Sequence, residues 1–141
     1  MSHIVRLAKE DELQKLAAFY DESVCHIDVL QCRAEEFVVM EKDGHLTAAC
    51  RLEQHSEDIL LTSFLFRGSE GAVALYAFIE GVLARVKQKE ASAVYVIQET
   101  EQAFTLFSWF GFTKSALDKE PDWLVAQCKQ HSKSKVLKWS P

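Results

Sequence analysis

Residues 66–72 read FRGSEGA, at the end of an apolar run and directly before a long stretch with helical periodicity. When a strand passes through a glycine-containing turn into a helix, the free N–H groups of the helix N-terminus point to one place. Helix N-termini of this kind bind phosphate and pyrophosphate groups. The segment therefore predicts a site for a nucleotide-bearing ligand such as coenzyme A.

Strands and helices are predicted on both sides of this segment from the spacing of apolar residues. Strands are expected at His3–Ala8, Phe37–Met40, His45–Leu52, Ile59–Phe66, Ser92–Gln98, Phe112–Ala116 and Lys135–Trp139. Helices are expected at 10–20, 71–89 and 101–110 and after Pro121, whereas 25–32 reads either as a short helix or as a loop. The β-branched run at Ser92–Gln98 favours a strand that is buried on both faces and parallel to a neighbour.

Two glycines have predicted structural roles. Gly111 follows the third helix and is expected to cap it in the left-handed conformation. Gly81 lies inside the second helix, where glycine costs about 1 kcal/mol relative to alanine, and it indicates close packing at that position. The polar residues at 42–44 and 54–57 predict the turns that join three antiparallel strands.

The composition excludes several classes of protein. The chain has 141 residues, of which 48% are hydrophobic, and this is enough for one domain with its own core. A net charge of −5 argues against general affinity for nucleic acid. Because the sequence has no run near the roughly 20 apolar residues that span a bilayer and no signal-peptide core, we expect a cytoplasmic protein that does not use a membrane. The four cysteines lack CxxC spacing and are interpreted as free thiols, so no metal is expected.

The order of elements and three local segments resemble the GNAT N-acetyltransferase superfamily. The segment AFTLFSWFGF at 103–112 is similar to a GNAT helix of the form A-x-x-L-Y-x-x-x-G-F, and it matches at Ala103, Leu106, Gly111 and Phe112. The segments EFVVMEKDGHLTAACRLE at 36–53 and HSKSKVLKW at 131–139 are similar to the C-terminal acetyltransferase domain of bacterial N-acetylglutamate synthase. The resemblance implies one GNAT domain over residues 1–141, with an α+β (three-layer) fold in which helices flank a mixed, mostly antiparallel central sheet.

This resemblance also implies an activity and a set of site residues. The chain would be an N-acetyltransferase that moves an acetyl group from acetyl-CoA to the amine of a small molecule such as an amino acid. Main-chain groups of Phe64, Leu65 and Phe66 would contact the pantetheine, with Phe107 beside it. The residues that would hold the pyrophosphate are Arg67, Gly68, Ser69, Gly71 and Ala72, and those that would hold the acceptor are Lys133 and Ser134.

Three positions differ from the pattern of the family. Glu70 stands where the pyrophosphate loop has its middle glycine, Phe107 replaces the tyrosine that often protonates the departing thiolate, and Ser132 replaces an arginine of the synthase ending. These differences favour an alternative in which a GNAT-fold module binds an acyl-CoA or an amino acid as a sensor without turnover. A third interpretation is a protein-binding domain that has lost coenzyme A.

The general base has one candidate by position and four by residue type. Glu99 follows the fifth strand and would act directly or through water, although a carboxylate there is also typical of a helix cap. His26, His45, His55 and His131 titrate near neutrality but are also typical of surface turns. The aromatic cluster Phe104, Phe107, Trp109 and Phe110 reads either as a wall against pantetheine and adenine or as core with a homodimer contact.

Overall fold

The computed structural model describes residues 3–21, 28–67, 71–98, 101–114, 121–128 and 135–141. The strands are β1 Ile4–Leu7, β2 Phe37–Lys42, β3 His45–His55, β4 Asp58–Phe66, β5 Ala93–Gln98, β6 Thr113–Lys114 and β7 Lys135–Trp139. The helices are α1 Leu13–Asp21, α2 Ala72–Gln88, α3 Glu101–Trp109 and α4 Asp122–Cys128. Three short 3₁₀ turns cover Glu10–Glu12, Val29–Gln31 and Ala34–Glu36.

The described strands form one seven-stranded sheet in the order β1-β2-β3-β4-β5-β7-β6. Neighbouring strands are antiparallel except for β4 and β5, which are parallel and joined through α2. Parallel neighbours need such a crossover, since a tight turn can join only antiparallel strands. The expected mixed, mostly antiparallel sheet and the parallel placement of β5 are confirmed.

Helices α2 and α3 cover one face of the sheet, which we call the α2 face. Its core joins residues of five strands to the apolar sides of these two helices, including Phe78, Val82, Phe107 and Phe112. Gly81 brings α2 close to β1, because a Cβ atom at this position would overlap the side chain of Val5. The predicted close packing at Gly81 is therefore present.

The opposite face, which we call the α1 face, carries two separate apolar clusters. One lies under α1 and includes Leu16, Phe19, Tyr20 and Phe37, and the other lies under α4 and includes Leu60, Tyr95, Leu124 and Val136. A polar chain runs along β3 on this same face. The guanidinium of Arg51 lies 3.5 Å from Glu36 and 3.4 Å from Glu53, and the Nε2 atom of His55 lies 2.6 Å from Glu53.

Arg6 fixes the start of α1 against the edge of the sheet. Its guanidinium contacts Glu12 at 2.6 Å and Glu41 at 2.9 Å. The hydrogen bonds from Arg6, opposed in part by burial, lower the pKa of Glu12 to about 2. The carboxylate of Glu12 also accepts a bond of 2.8 Å from the Lys9 N–H group and so closes the 3₁₀ turn before α1.

The predicted ends of β2 and β3 are wrong. Strand β2 was expected to end at Met40 but continues to Lys42. Strand β3 was expected to end at Leu52 with a turn over 54–57, but it continues to His55 and the turn is confined to residues 56 and 57. The strand expected at Phe112–Ala116 begins at Thr113, and its expected end at residues 115 and 116 lies outside the described residues. Gly111 has φ +97° and caps α3 as expected. Within the described residues, none of the helices is both long enough and apolar enough to cross a membrane.

Candidate functional site

Strands β4 and β5 separate halfway along their length. Asp58 to Leu61 are paired with Ala93 to Val96, and the described pairing between the two strands ends there. Within the described part of the chain, β4 continues to Phe66 paired with β3, and β5 continues to Gln98 paired with β7. Backbone N–H and C=O groups of β4 therefore face an opening in the middle of the sheet, where a ligand can pair with them as a strand would.

A β-bulge lies in β4 directly at this opening. Ala49 and Arg51 of β3 oppose Leu65 and Thr62, so that β4 has one residue more than its partner. Ser63 accommodates the extra residue with a φ of +53°. A bulge turns the strand and increases its local twist, which re-aims the main chain that follows it.

Tyr20 holds this bulge in place. Its hydroxyl donates a hydrogen bond of 2.6 Å to the Ser63 carbonyl oxygen, and the side chain is only 1% exposed. The bond connects the last turn of α1 to the position where β4 leaves β5. Sequence reasoning missed this role, because nothing in the local pattern indicates which carbonyl a buried hydroxyl will meet.

The three residues expected to contact pantetheine lie along the opening. The side chains of Phe64 and Phe66 pack on the α2 face, whereas Leu65 packs against the cluster under α1. The Phe64 ring lies 5.6 Å from the ring of Phe78 and 5.9 Å from that of Phe107. Their side chains are thus used in packing, and their main chain is the part that lies at the opening.

Phe107 forms an apolar wall beside Phe64. It is 4% exposed and its ring packs edge-on against that of Phe112, with the centroids 5.4 Å apart. A phenyl ring has no proton to give, so this position can shape a pocket but cannot act as an acid.

The N-terminus of α2 follows the end of β4. Gly71 is the cap residue with a φ of +84°, and among the described residues other than its chain neighbours no atom lies within 4 Å of where a Cβ would stand. Ala72 follows as an exposed first residue of the helix. Arg67 donates its backbone N–H to Thr47, and its guanidinium lies over the ring of Phe19 at 5.6 Å, on the α1 face. Of the pyrophosphate residues expected from the sequence, Gly68 and Ser69 lie outside the described residues, as does Glu70.

Among the candidate bases, only His45 and His55 lie within the described residues. His55 lies opposite Asp58 at the β3–β4 turn. Asp58 precedes Phe64 by six residues, which is roughly 20 Å along a strand at about 3.3 Å per residue, so the His55 ring lies far from the opening. Its ring stacks on Trp123 with the centroids 3.9 Å apart. His45 is exposed beside the other hairpin turn. Glu99, Lys133, Ser134, His26 and His131 lie outside the described residues.

The two cysteines whose thiols are described are unsuited to nucleophilic chemistry. Burial raises the pKa of Cys50 to about 12 and also raises the pKa of Cys32. Both are free thiols, as expected. Because the thiolate is the reactive form, neither is a candidate for covalent catalysis.

Comparison with known proteins gives likeness at the level of structure. No protein-family model and no curated protein matches the sequence. Among solved structures, N-acetylglutamate synthase from Neisseria gonorrhoeae, complexed with coenzyme A and N-acetyl-glutamate, is similar over 99% of this chain with a TM-score of 0.81 and 13% identity. The chain spans 35% of the length of that synthase.

Two further structures are similar over most of both chains. The ribosomal-protein-S18-alanine N-acetyltransferase from Escherichia coli has a TM-score of 0.73 at 8% identity, with 99% of this chain and 94% of that chain covered. The GNAT domain of S. lividans PAT has a TM-score of 0.72 at 13% identity, with 97% and 89% covered. The sheet with its separated β4 and β5, and the helices on its two faces, therefore form the GNAT fold of the N-acetyltransferases.

Proposed function

We propose that the protein is an acyl-CoA-dependent N-acetyltransferase that moves an acetyl group from acetyl-CoA to the amine of a small molecule. The observation that carries the proposal is the separation of β4 from β5 after Leu61 and Val96, on the strand that leads into the N-terminus of α2 at Gly71. The opening supplies unpaired main chain for a pantetheine, and the helix supplies N–H groups for a pyrophosphate.

In the proposed reaction the main chain of β4 positions and polarises the thioester. The amide groups of Phe64–Phe66 pair with the pantetheine, and an N–H group beside the bulge donates to the thioester carbonyl oxygen as negative charge develops there. The acceptor nitrogen bonds to the carbonyl carbon, the C–S bond breaks, and the amine proton passes to Glu99 directly or through water. The thiolate takes its proton from water, since Phe107 has none to give.

The proposal can be made more specific by naming the class of acceptor. We infer a free amino acid, because the similar synthase was solved with N-acetyl-glutamate and because Lys133 and Ser134 stand in the matching terminal segment. The similar enzyme from Escherichia coli is described as acting on a ribosomal protein, so one fold serves acceptors of very different size. Substrate choice therefore has to be measured.

A second function has one observation in its favour. The buried phenyl ring of Phe107 at the wall of the opening leaves the thiolate without a side-chain acid at that position. A module that binds acetyl-CoA without turnover would tolerate this change fully, whereas an enzyme would lose rate.

Release of free thiol from acetyl-CoA across a panel of amino acids and simple amines distinguishes the two functions. The enzyme predicts release that depends on one acceptor class and is reduced by Glu99→Gln. Binding of acetyl-CoA together with no thiol release across the whole panel would favour the sensor.

A further inference from the structure

An exposed aromatic surface lies where α2 and α3 meet. Trp109 at the end of α3 is 74% exposed, Val73 in the first turn of α2 is 81% exposed, and Tyr76 is 38% exposed. The rings of Tyr76 and Trp109 are nearly parallel, at 13°, with their centroids 6.5 Å apart. We call these three residues the aromatic platform.

Packing of the core does not account for this platform. Phe107 and Phe112 are buried in the cluster under α2 and α3, and Phe110 is partly buried against it. Phe110 also supports Tyr76 from the side, with the ring centroids 5.8 Å apart. The described rings of the aromatic cluster are thus divided: Phe107 and Phe110 pack on the core, whereas the Trp109 indole is exposed to solvent, and the Phe104 side chain lies outside the described residues.

The platform lies beside the end of α2 that is proposed to hold a pyrophosphate. Tyr76 follows Ala72 by four residues, which is about 6 Å along a helix axis. In coenzyme A the adenosine is attached directly to the pyrophosphate through the ribose, so its adenine ring lies within about that reach. Helix α3 joins the platform to the opening, because Phe107 of the same helix contacts Phe64.

We propose that Trp109, supported by Tyr76, stacks on the adenine ring of coenzyme A and so selects an adenine nucleotide carrier over the bare phosphopantetheine arm. This inference rests on the proposed function and adds to it a site for the nucleotide. A flat aromatic face in solvent is suited to this role, because stacking of a base on an aromatic side chain needs no hydrogen-bond partner and contributes substantially to binding.

Binding of two donors to matched variants tests the assignment. The dissociation constants of acetyl-CoA and of S-acetyl-4′-phosphopantetheine, which lacks the 3′-phosphoadenosine monophosphate part, are measured by calorimetry. For Trp109→Ala we expect acetyl-CoA to bind about tenfold more weakly, while S-acetyl-4′-phosphopantetheine is unaffected. Trp109→Phe keeps an aromatic face and should restore most of the affinity. Trp123→Phe, on the α1 face, is the control and should change neither constant.

The outcomes separate this inference from the proposed function. If the wild type binds acetyl-CoA and Trp109→Ala binds it equally well, the platform has no part in binding and only the inference fails. An equal loss for both donors would also overturn it, because the effect would then be structural. If Trp109→Ala converts a dimer into monomers and leaves both dissociation constants unchanged, the aromatic platform is a dimer interface and the inference fails. A wild type that binds neither donor overturns the proposed function and this inference together.

Discussion

At the residue scale, the decisive contacts are those that aim the main chain of β4. Tyr20 and the bulge at Ser63 set the direction of Phe64–Phe66, and neither is visible in the spacing of apolar residues. The residues that sequence reasoning placed correctly are those whose role follows from their own chemistry, such as the left-handed Gly111 and the free thiol of Cys50. For His55 the residue type alone was misleading. A histidine is a candidate general base, but its position at the β3–β4 turn is far from the opening.

The hydroxyl of Tyr20 is predicted to contribute to stability. In Tyr20→Phe the partly buried carbonyl of Ser63 loses this hydrogen bond, and we expect the free energy of unfolding to fall by about 1–2 kcal/mol. Urea denaturation measures this, with Tyr76→Phe as the matched loss of an exposed tyrosine hydroxyl. An unchanged midpoint for Tyr20→Phe would show that the bulge does not depend on this bond.

The ion pair of Arg6 and Glu12 is predicted to stabilise the fold in a defined pH window. The pKa of Glu12 is lowered from 4.5 to about 2, so its contribution is complete above pH 4.5 and is lost as the pH falls towards 2. Wild type should therefore exceed Glu12→Gln in unfolding free energy at neutral pH and converge with it near pH 2. A difference that stays constant over this range would contradict the assignment.

At the scale of elements, the pattern predicted the strands and helices better than it predicted where they end. Strand β3 runs through the polar residues Glu53, Gln54 and His55, because Glu53 and His55 join a polar chain on the α1 face where the pattern suggested a turn. The separation of β4 from β5 is a property of pairing between strands that are distant in sequence. An apolar run such as Ile59–Phe66 has the same sequence pattern whether or not the neighbouring strand remains paired with it along its whole length.

The packing of α2 on β1 gives a prediction at this scale. Alanine at position 81 would gain about 1 kcal/mol in helix propensity, but its Cβ would overlap Val5, and overpacking of this kind costs roughly 1–3 kcal/mol. We expect Gly81→Ala to lower the thermal midpoint and the double variant Val5→Ala/Gly81→Ala to recover part of the loss. A more stable Gly81→Ala protein would show that α2 has room to move from β1.

At the scale of the whole molecule, the order of elements was sufficient to predict the fold, and the similar solved structures share it at low identity. The candidate site was predictable in part. The pattern predicted the strand–glycine–helix passage at Phe66–Ala72, whereas the surface formed by Trp109 and Tyr76 depends on how two helices meet. Side chains from α1, β4, α2 and α3 pack around one opening, and the proposed acetyl transfer requires that coenzyme A binds there.

Thermal melting with and without acetyl-CoA tests that requirement most directly. Acetyl-CoA at a concentration of about 100 times its Kd, bound only by the folded state, adds about 2.7 kcal/mol to the free energy of unfolding. This stabilisation raises Tm by several degrees. Wild type and Ala72→Gln should show this rise. Ala72→Glu should show little of it, because a carboxylate at the exposed start of α2 suits the helix but repels a pyrophosphate. No rise in the wild type at millimolar acetyl-CoA would contradict the account.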